Sequence, residues 1–170
     1  MLLGLIGIFP NGLFNMTHRE LALKIATEAH AGQKRKDGKD YITHPIAVEK
    51  IALSLAKELY SDLSEAEMDL ISSMALLHDV EEDTNLTLED INKEFVKRGF
   101  FELFSITELN KNNYASYKNY IVAISRSTFY VRIVKKADLL HNLSDLKPGS
   151  LRDKYELALH IIDSTFKQRD

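Results

Sequence analysis

Apolar residues recur along this chain at helical spacing, and helix-start chemistry punctuates the recurrence. Thr17-His18-Arg19-Glu20 sets a capping hydroxyl three residues before a carboxylate, and the apolar-periodic run it opens ends at Gly32. A polar loop, Gln33 to Thr43, follows. Pro45 is then placed as the first residue of a second helix, with His44 near its N-cap and a core-facing stripe of Val48, Ile51, Ala52, Leu55 and Leu59. Ser64-Glu65-Ala66-Glu67 opens a third helix that carries Ile71, Met74, Ala75 and Leu77 up to His78-Asp79. Thr87-Leu88-Glu89-Asp90 starts a short helix that should stop near Gly99. Phe100 to Leu109 also reads as helical, Asn110 to Asn113 as a loop, and Tyr114 to Arg126 and Phe129 to Leu146 as two more helices. Pro148-Gly149 is a turn, after which Ser150-Leu151-Arg152-Asp153 caps a last helix running to about Phe166.

No stretch alternates like a strand. Phe129 to Val134 is β-branched enough to be confused with one, but it flows into a helical pattern. The expectation is one all-α domain of roughly seven or eight helices. No Gly-rich phosphate loop follows a strand, so neither a Rossmann nor a P-loop fold is supported.

The chain has 170 residues, 45% of them hydrophobic and 28% charged, enough for a single well-buried core. It contains no cysteine, which removes disulfides and thiolate metal sites and leaves nitrogen and oxygen as the metal donors. Such a chain suits a reducing cytoplasm, the expected location. A net charge of -3 gives no global basis for nucleic-acid binding. Met1 to Asn15 is apolar, yet it lacks a basic start and a cleavage site, and Gly, Pro10 and Asn11 interrupt it. It reads as an extension of unknown role ahead of a domain spanning 16–170. No membrane association is expected.

Chemistry concentrates in a few places. His44, the pair His78-Asp79, and Asp138 supply two imidazoles and two carboxylates, a donor set suited to a hard or borderline divalent cation. On a helix Asp138, His141 and Asn142 share one face among Leu139, Leu140 and Leu143, which brings a carboxylate close to the core. The plainer reading of Asp138 is an ion pair with Lys135 or Lys136. If the helix continues past Asp79, Glu82 and Asp83 fall over the same patch, and three converging carboxylates call for a cation. Glu81 reads as a solvated acid. Lys34, Arg35, Lys36 and Lys39 crowd one loop, where an anionic small molecule can be gripped.

Four ordered fragments carry a resemblance. They are Ala29-His30-Ala31-Gly32-Gln33-Lys34-Arg35-Lys36-Asp37-Gly38, Tyr41-Ile42-Thr43-His44-Pro45, Leu77-His78-Asp79-Val80-Glu81-Glu82-Asp83-Thr84, and Lys135-Lys136-Ala137-Asp138-Leu139-Leu140-His141-Asn142-Leu143. In this order and spacing the chain resembles the HD-domain hydrolase of the Rel/Spo alarmone enzymes, especially the small stand-alone alarmone hydrolases, from about Thr17 to Lys147. The resemblance implies a metal, usually Mn²⁺, on His44, His78, Asp79 and Asp138, with Glu82 and Asp83 positioning and activating the attacking water. It further implies that Arg35 and Lys36 meet the nucleotide, Arg35 stacking on the base, and that Asn142 helps hold the substrate. The implied reaction removes the 3′-pyrophosphate of guanosine tetra- or pentaphosphate, giving GDP or GTP and pyrophosphate. The partner is then a small nucleotide.

The chain departs from that pattern in three places. Asp37 replaces a small hydroxyl residue in the basic loop, adding negative charge beside the phosphates. Ser144-Asp145 follows where the long enzymes carry Arg or Thr, and Thr107 to Tyr120 looks more like the short homologues. Tyr114 and Tyr117 either line the pocket or pack in the core. The chain stops before the synthetase domain of the long enzymes, so degradation without synthesis is expected. An enzymatic alternative is removal of phosphate from another nucleotide, such as the 2′-phosphate of NADPH. The non-enzymatic alternative is a degenerate HD domain that only binds, against which the intact set of acids and histidines speaks.

Overall fold

The computed structural model describes residues 16–100 and 102–166. The extension expected over Met1 to Asn15 lies outside them. Among the described residues there are eight α-helices: α1 (His18–Ala29), α2 (Thr43–Leu59), α3 (Glu65–Leu77), α4 (Val80–Asp83), α5 (Leu88–Lys97), α6 (Tyr117–Arg126), α7 (Phe129–Asp145) and α8 (Ser150–Phe166). Among the described residues, extended backbone pairs only in an isolated bridge between Lys34 and Asp40. The fold is all-α, as the periodicity predicts.

Local chemistry explains several helix starts. Thr17, Ser64 and Thr87 each accept from the backbone N–H three residues on, and Glu20, Glu67 and Asp90 return the bond, closing three capping boxes. At the other end of α5, Gly99 takes φ +76°, its N–H reaches the Val96 carbonyl, and the Phe100 N–H reaches the Phe95 carbonyl. That left-handed residue satisfies two carbonyls and folds Phe100 back on Phe95.

Three expectations shift. Helix α1 ends at Ala29, three residues before Gly32. Helix α2 begins at Thr43, so His44 lies inside its first turn and Pro45 is its third residue. Proline is tolerated there because the first four helical N–H groups have no intrahelical acceptor. The stretch predicted as a helix over Phe100 to Leu109 has no α-helix; its latter part, Phe104–Leu109, is 3₁₀, as is Lys111–Asn113 in the expected loop. Side chains pin this segment to its surroundings: Asn92 accepts the Leu103 N–H (2.8 Å) and Tyr120 donates to the Leu109 carbonyl (2.7 Å). Those contacts outweigh the tendency to wind an α-helix, and α6 starts at Tyr117, capped by Ser116.

Helix α3 is the central element. Every residue from Ile71 to Leu77 is buried, and α1, α2 and α7 pack around it, with α8 covering α7 and α6. Of two serines in that run, Ser73 leaves its hydroxyl buried without a hydrogen-bond partner. Ser72 instead donates to Glu49 of α2 (2.5 Å), a carboxylate that is itself 1% exposed and is clasped by Arg19 of α1 at 2.5 and 2.9 Å. Pairing and hydrogen bonding make that burial tolerable. This knot ties α1, α2 and α3 together, leaving the end of α3 to carry His78.

Candidate metal centre

Four helices bring four donors to one point. His44 comes from the first turn of α2, His78 caps α3, Asp79 is the N-cap residue of α4, and Asp138 sits midway along α7. His44 Nε2 lies 3.3 Å from Asp79 Oδ2 and 3.3 Å from Asp138 Oδ1. His78 Nε2 lies 3.1 Å from Asp79 Oδ2 and 3.7 Å from Asp138 Oδ1. The donor atoms of His44, His78 and Asp79 fall within 4.8 Å of one another, compact enough to hold a cation.

The outer contacts aim these atoms inward. The other nitrogen of His78, Nδ1, is 2.8 Å from the Ala75 carbonyl, which can only accept, so Nδ1 carries the proton. In the neutral ring, the form that binds a metal, Nε2 is then the lone pair; it is buried and faces the Asp79 and Asp138 carboxylates without a formed hydrogen bond. His44 Nδ1 meets His141 Nδ1 at 2.7 Å, so one ring must donate and the other accept. Placing the proton on His44 Nδ1 frees its Nε2 for a cation. Such outer partners characterise metal-binding imidazoles.

Asp138 makes the ion pair the sequence offered and still turns an oxygen to the histidines. Lys135 Nζ holds Oδ2 at 2.7 Å, while Oδ1 faces the histidines and accepts from Asn142 at 2.6 Å. Lys136 turns away to Asp163 (2.7 Å). Burial alone would push the Asp138 carboxyl up; Lys135, with His44 and His78, outweighs it and holds the group well below the usual carboxylate range. Burial likewise opposes ionisation of Asp79, but His78 and His44 keep its pKa low. His78 responds in the opposite direction, raised well above an ordinary histidine because Asp79 and Asp138 overcome its burial. A field that holds a proton this firmly also attracts a divalent cation.

Beside this cluster the chain makes the single turn of α4, with the Asp83 N–H on the Asp79 carbonyl at 2.9 Å. Glu82 and Asp83 thereby rise over Asp79, and the acid oxygens of the three residues lie within 4.8 Å of one another. Asp79 belongs to both groups. Lys111 grips Glu82 through its ammonium and its backbone N–H (3.2 Å). The expectation that Glu81 is a solvated acid is corrected: it accepts from the Leu88 N–H (3.0 Å) and the Asn110 amide (3.1 Å), bracing α4 against α5 and the segment after it.

Adjoining the cluster, a cleft of about 590 Å³ is lined by Arg35, Lys36, Tyr41, Asn142, Asp145 and Tyr155, among others. Arg35 and Lys36 stand on a tight hairpin closed by Arg35 N–H to Lys39 O and Gly38 N–H to Arg35 O, both 2.9 Å, with Gly38 at φ +84°. The charge of Asp37 turns on Lys39, which contacts it through both backbone (3.1 Å) and side chain (2.9 Å). Asp145 holds the Arg35 guanidinium at 3.1 Å. Tyr114 donates to the Glu108 carbonyl and Tyr117 stacks on Tyr155, so Tyr117 reaches the cleft only through that ring.

Sequence reasoning passed over Tyr41, whose hydroxyl is 2.8 Å from both Asp79 Oδ2 and Asp83 Oδ2. It also passed over Lys111 and Gln33, whose amide donates to the Asp83 carbonyl (2.9 Å). No periodicity marks these residues; only Lys135, three residues before Asp138, had a local signal.

Residues 41–143 match the HD domain family. The chain belongs to that family. HD domains are metal-dependent hydrolase domains, which accounts for a histidine–aspartate cluster able to hold a divalent cation. Among curated proteins, this HD domain is 35% identical over 135 residues to the GTP pyrophosphokinase of Streptomyces coelicolor, covering 75% of this chain and 14% of that enzyme. It is 37% identical over 136 residues to the guanosine-3′,5′-bis(diphosphate) 3′-pyrophosphohydrolase of Haemophilus influenzae, covering 75% and 18%. It is 35% identical over 139 residues to the bifunctional (p)ppGpp synthase/hydrolase SpoT of Escherichia coli, covering 77% and 18%. The chain thus spans less than a fifth of each of these relatives. Among the described residues, no helix is long and apolar enough to cross a membrane.

Proposed function

We propose that this HD domain, over residues 16–170, removes the 3′-pyrophosphate of guanosine tetra- or pentaphosphate, releasing GDP or GTP and pyrophosphate. The observation that carries the reading is spatial. One cluster of four donors shares Asp79 with a pair of carboxylates and meets a basic cleft through Tyr41 and Asn142.

The donor set fits a divalent cation: two imidazole nitrogens, one of them the buried His78 Nε2, and two carboxylates held in the charged form. His44, His78, Asp79 and Asp138 would hold the ion, Mn²⁺ in our reading. When bound, it lowers the pKa of a water and neutralises charge on a phosphoryl oxygen. Arg35 and Lys36 bind the nucleotide, the guanidinium plane of Arg35 being suited to stacking on a base while Lys36 acts as a point charge. Asn142 holds the substrate from the helix that bears Asp138. Asp83 and Glu82 orient the attacking water and take its proton as oxygen attacks phosphorus and the bond to the 3′-oxygen breaks. That oxygen leaves with a proton as the 3′-hydroxyl. No covalent nucleophile is needed.

The test is a paired assay with Mn²⁺. Pyrophosphate release from guanosine tetraphosphate supports the reading. Orthophosphate from NADPH without pyrophosphate from guanosine tetraphosphate would transfer the site to a 2′-phosphatase. Binding of either nucleotide with no turnover would make this a degenerate, binding-only domain.

A further inference from the structure

We propose that Tyr41 is a positioning residue that aims the Asp83 carboxylate at the attacking water, from the same loop that carries Arg35 and Lys36. The assignment rests on the hydrolase reading above.

Asp83 is poorly placed to hold a fixed orientation unaided. It is the last residue of a helix of one turn, it is exposed, and the chain turns to extended backbone at Thr84. A single turn has almost no stability of its own. Two side chains from the loop between α1 and α2 supply the missing constraint. Gln33 donates to the Asp83 backbone carbonyl at 2.9 Å, and the Tyr41 hydroxyl meets the Asp83 side chain at 2.8 Å.

The hydroxyl also lies 2.8 Å from Asp79 Oδ2, yet it has one proton to donate. Asp79 Oδ2 already shares its charge with both histidine Nε2 atoms, at 3.3 and 3.1 Å. The Lys111 ammonium near Asp83 is bound to Glu82, so the tyrosine proton is better used on Asp83 Oδ2.

The ring of Tyr41 is held in turn. It packs on buried His30 with centroids 4.5 Å apart, and His30 Nδ1 is 2.8 Å from Gln33 Oε1. The backbone closes the loop between them, Tyr41 N–H to Gln33 O at 3.0 Å. His30, Gln33 and Tyr41 therefore form one clamp on Asp83, and the hairpin tip bearing Arg35 and Lys36 projects from it. The residues proposed to grip the nucleotide and the carboxylate proposed to handle water move as one piece.

Tyr41→Phe deletes the hydroxyl and keeps the ring. In the Mn²⁺ protein we expect kcat for guanosine tetraphosphate to fall about 10- to 100-fold, a part of the gain a positioned base supplies. KM, and Mn²⁺ affinity by calorimetric titration, should stay within about twofold, since only an orienting bond is lost. The decisive readout is a double-mutant cycle: Tyr41→Phe should slow Asp83→Asn no further, because two residues acting through one group are non-additive. Should Tyr41→Phe fail to fold, Gln33→Met opens the other side of the clamp and enters the same cycle. Wild-type kcat, additive losses, or a loss of Mn²⁺ affinity that accounts for the lost rate would each overturn the proposal. Wild-type turnover in Asp83→Asn alone would instead overturn the reading of Asp83 as the water-handling acid.

Discussion

Lys135→Met separates the structural from the metal-binding demands on Asp138. The pair is buried, with side chains 13% and 7% exposed, and the ammonium–carboxylate contact is 2.7 Å. Removing one partner of a buried ion pair costs about 3–5 kcal/mol, because the other charge is left behind. Here Asp138 keeps the Asn142 donor at 2.6 Å and two nearby imidazoles, so the lower end, about 3 kcal/mol, is the expectation. For a domain of this size that converts to a drop of roughly 6–12 °C in melting temperature. Methionine spans the space of the lysine stem, which limits the contribution of lost packing. A divalent cation would replace the missing positive charge, so Mn²⁺ should raise the melting temperature more in the variant than in the parent. The assay is thermal unfolding by circular dichroism, with chelator and with saturating Mn²⁺. A drop under about 2 °C in chelator would refute the energetics of the pair, given the conversion used. The same Mn²⁺-induced rise in both proteins would refute the idea that Lys135 and the cation share Asp138.

Asp79→Ala should abolish Mn²⁺-dependent hydrolysis; wild-type turnover would sink the metal assignment. Glu82→Gln with Asp83→Asn should keep Mn²⁺ bound while turnover falls by about 10²- to 10⁴-fold, whereas a loss of metal content would make these acids ligands. Glu81→Ala strands the Leu88 N–H and the Asn110 amide, so stability should fall by about 1–3 kcal/mol in a denaturant titration, and an unchanged midpoint would count against its bracing role. In chelator, the protonated His78 contributes stability in full below the unfolded histidine value of ~6.5 and loses it as pH rises through its raised folded value. Asp79 and Asp138, held low, contribute above the unfolded value of ~3.9 and lose that contribution as pH falls through their folded values. Mn²⁺ should flatten the alkaline decline, since neutral imidazole is the binding form; identical alkaline limbs with and without the ion would contradict this.

How far the chain could be read in advance follows from how local each determinant is. The capping boxes at Thr17, Ser64 and Thr87 were legible because donor and acceptor lie three residues apart, and the stripes of α2 and α3 because burial repeats with the turn of the helix. The helix predicted over Phe100 to Leu109 failed where Asn92 and Tyr120, each eleven residues from the backbone they hold, decide the path. The same division runs through the site. His44, His78, Asp79 and Asp138 stood out because polar residues on apolar faces demand an explanation, and the structure brings them together. Glu81 was misread because an acid in an acidic run looks solvated until its partners at Leu88 and Asn110 are seen.

Tyr41 and Lys111 illustrate the harder case. Their acidic partners lie 38, 42 and 29 positions away, and each acts through a terminal polar atom. A tyrosine in a polar loop and a lysine in an asparagine-rich turn break no rule of patterning, so nothing in the sequence asks what they do. Both nonetheless touch the acids proposed to manage water, and neither touches His44 or His78 through a hydrogen bond. The donors of a metal cluster must be sequestered from solvent, and sequestration leaves a periodic trace. The groups that orient a water need only reach it from loops at the rim, and a loop carries no period. The proposed metal donors of this HD domain are therefore written into its helices, while the contacts that aim its proposed water-handling acids exist only once the chain has folded.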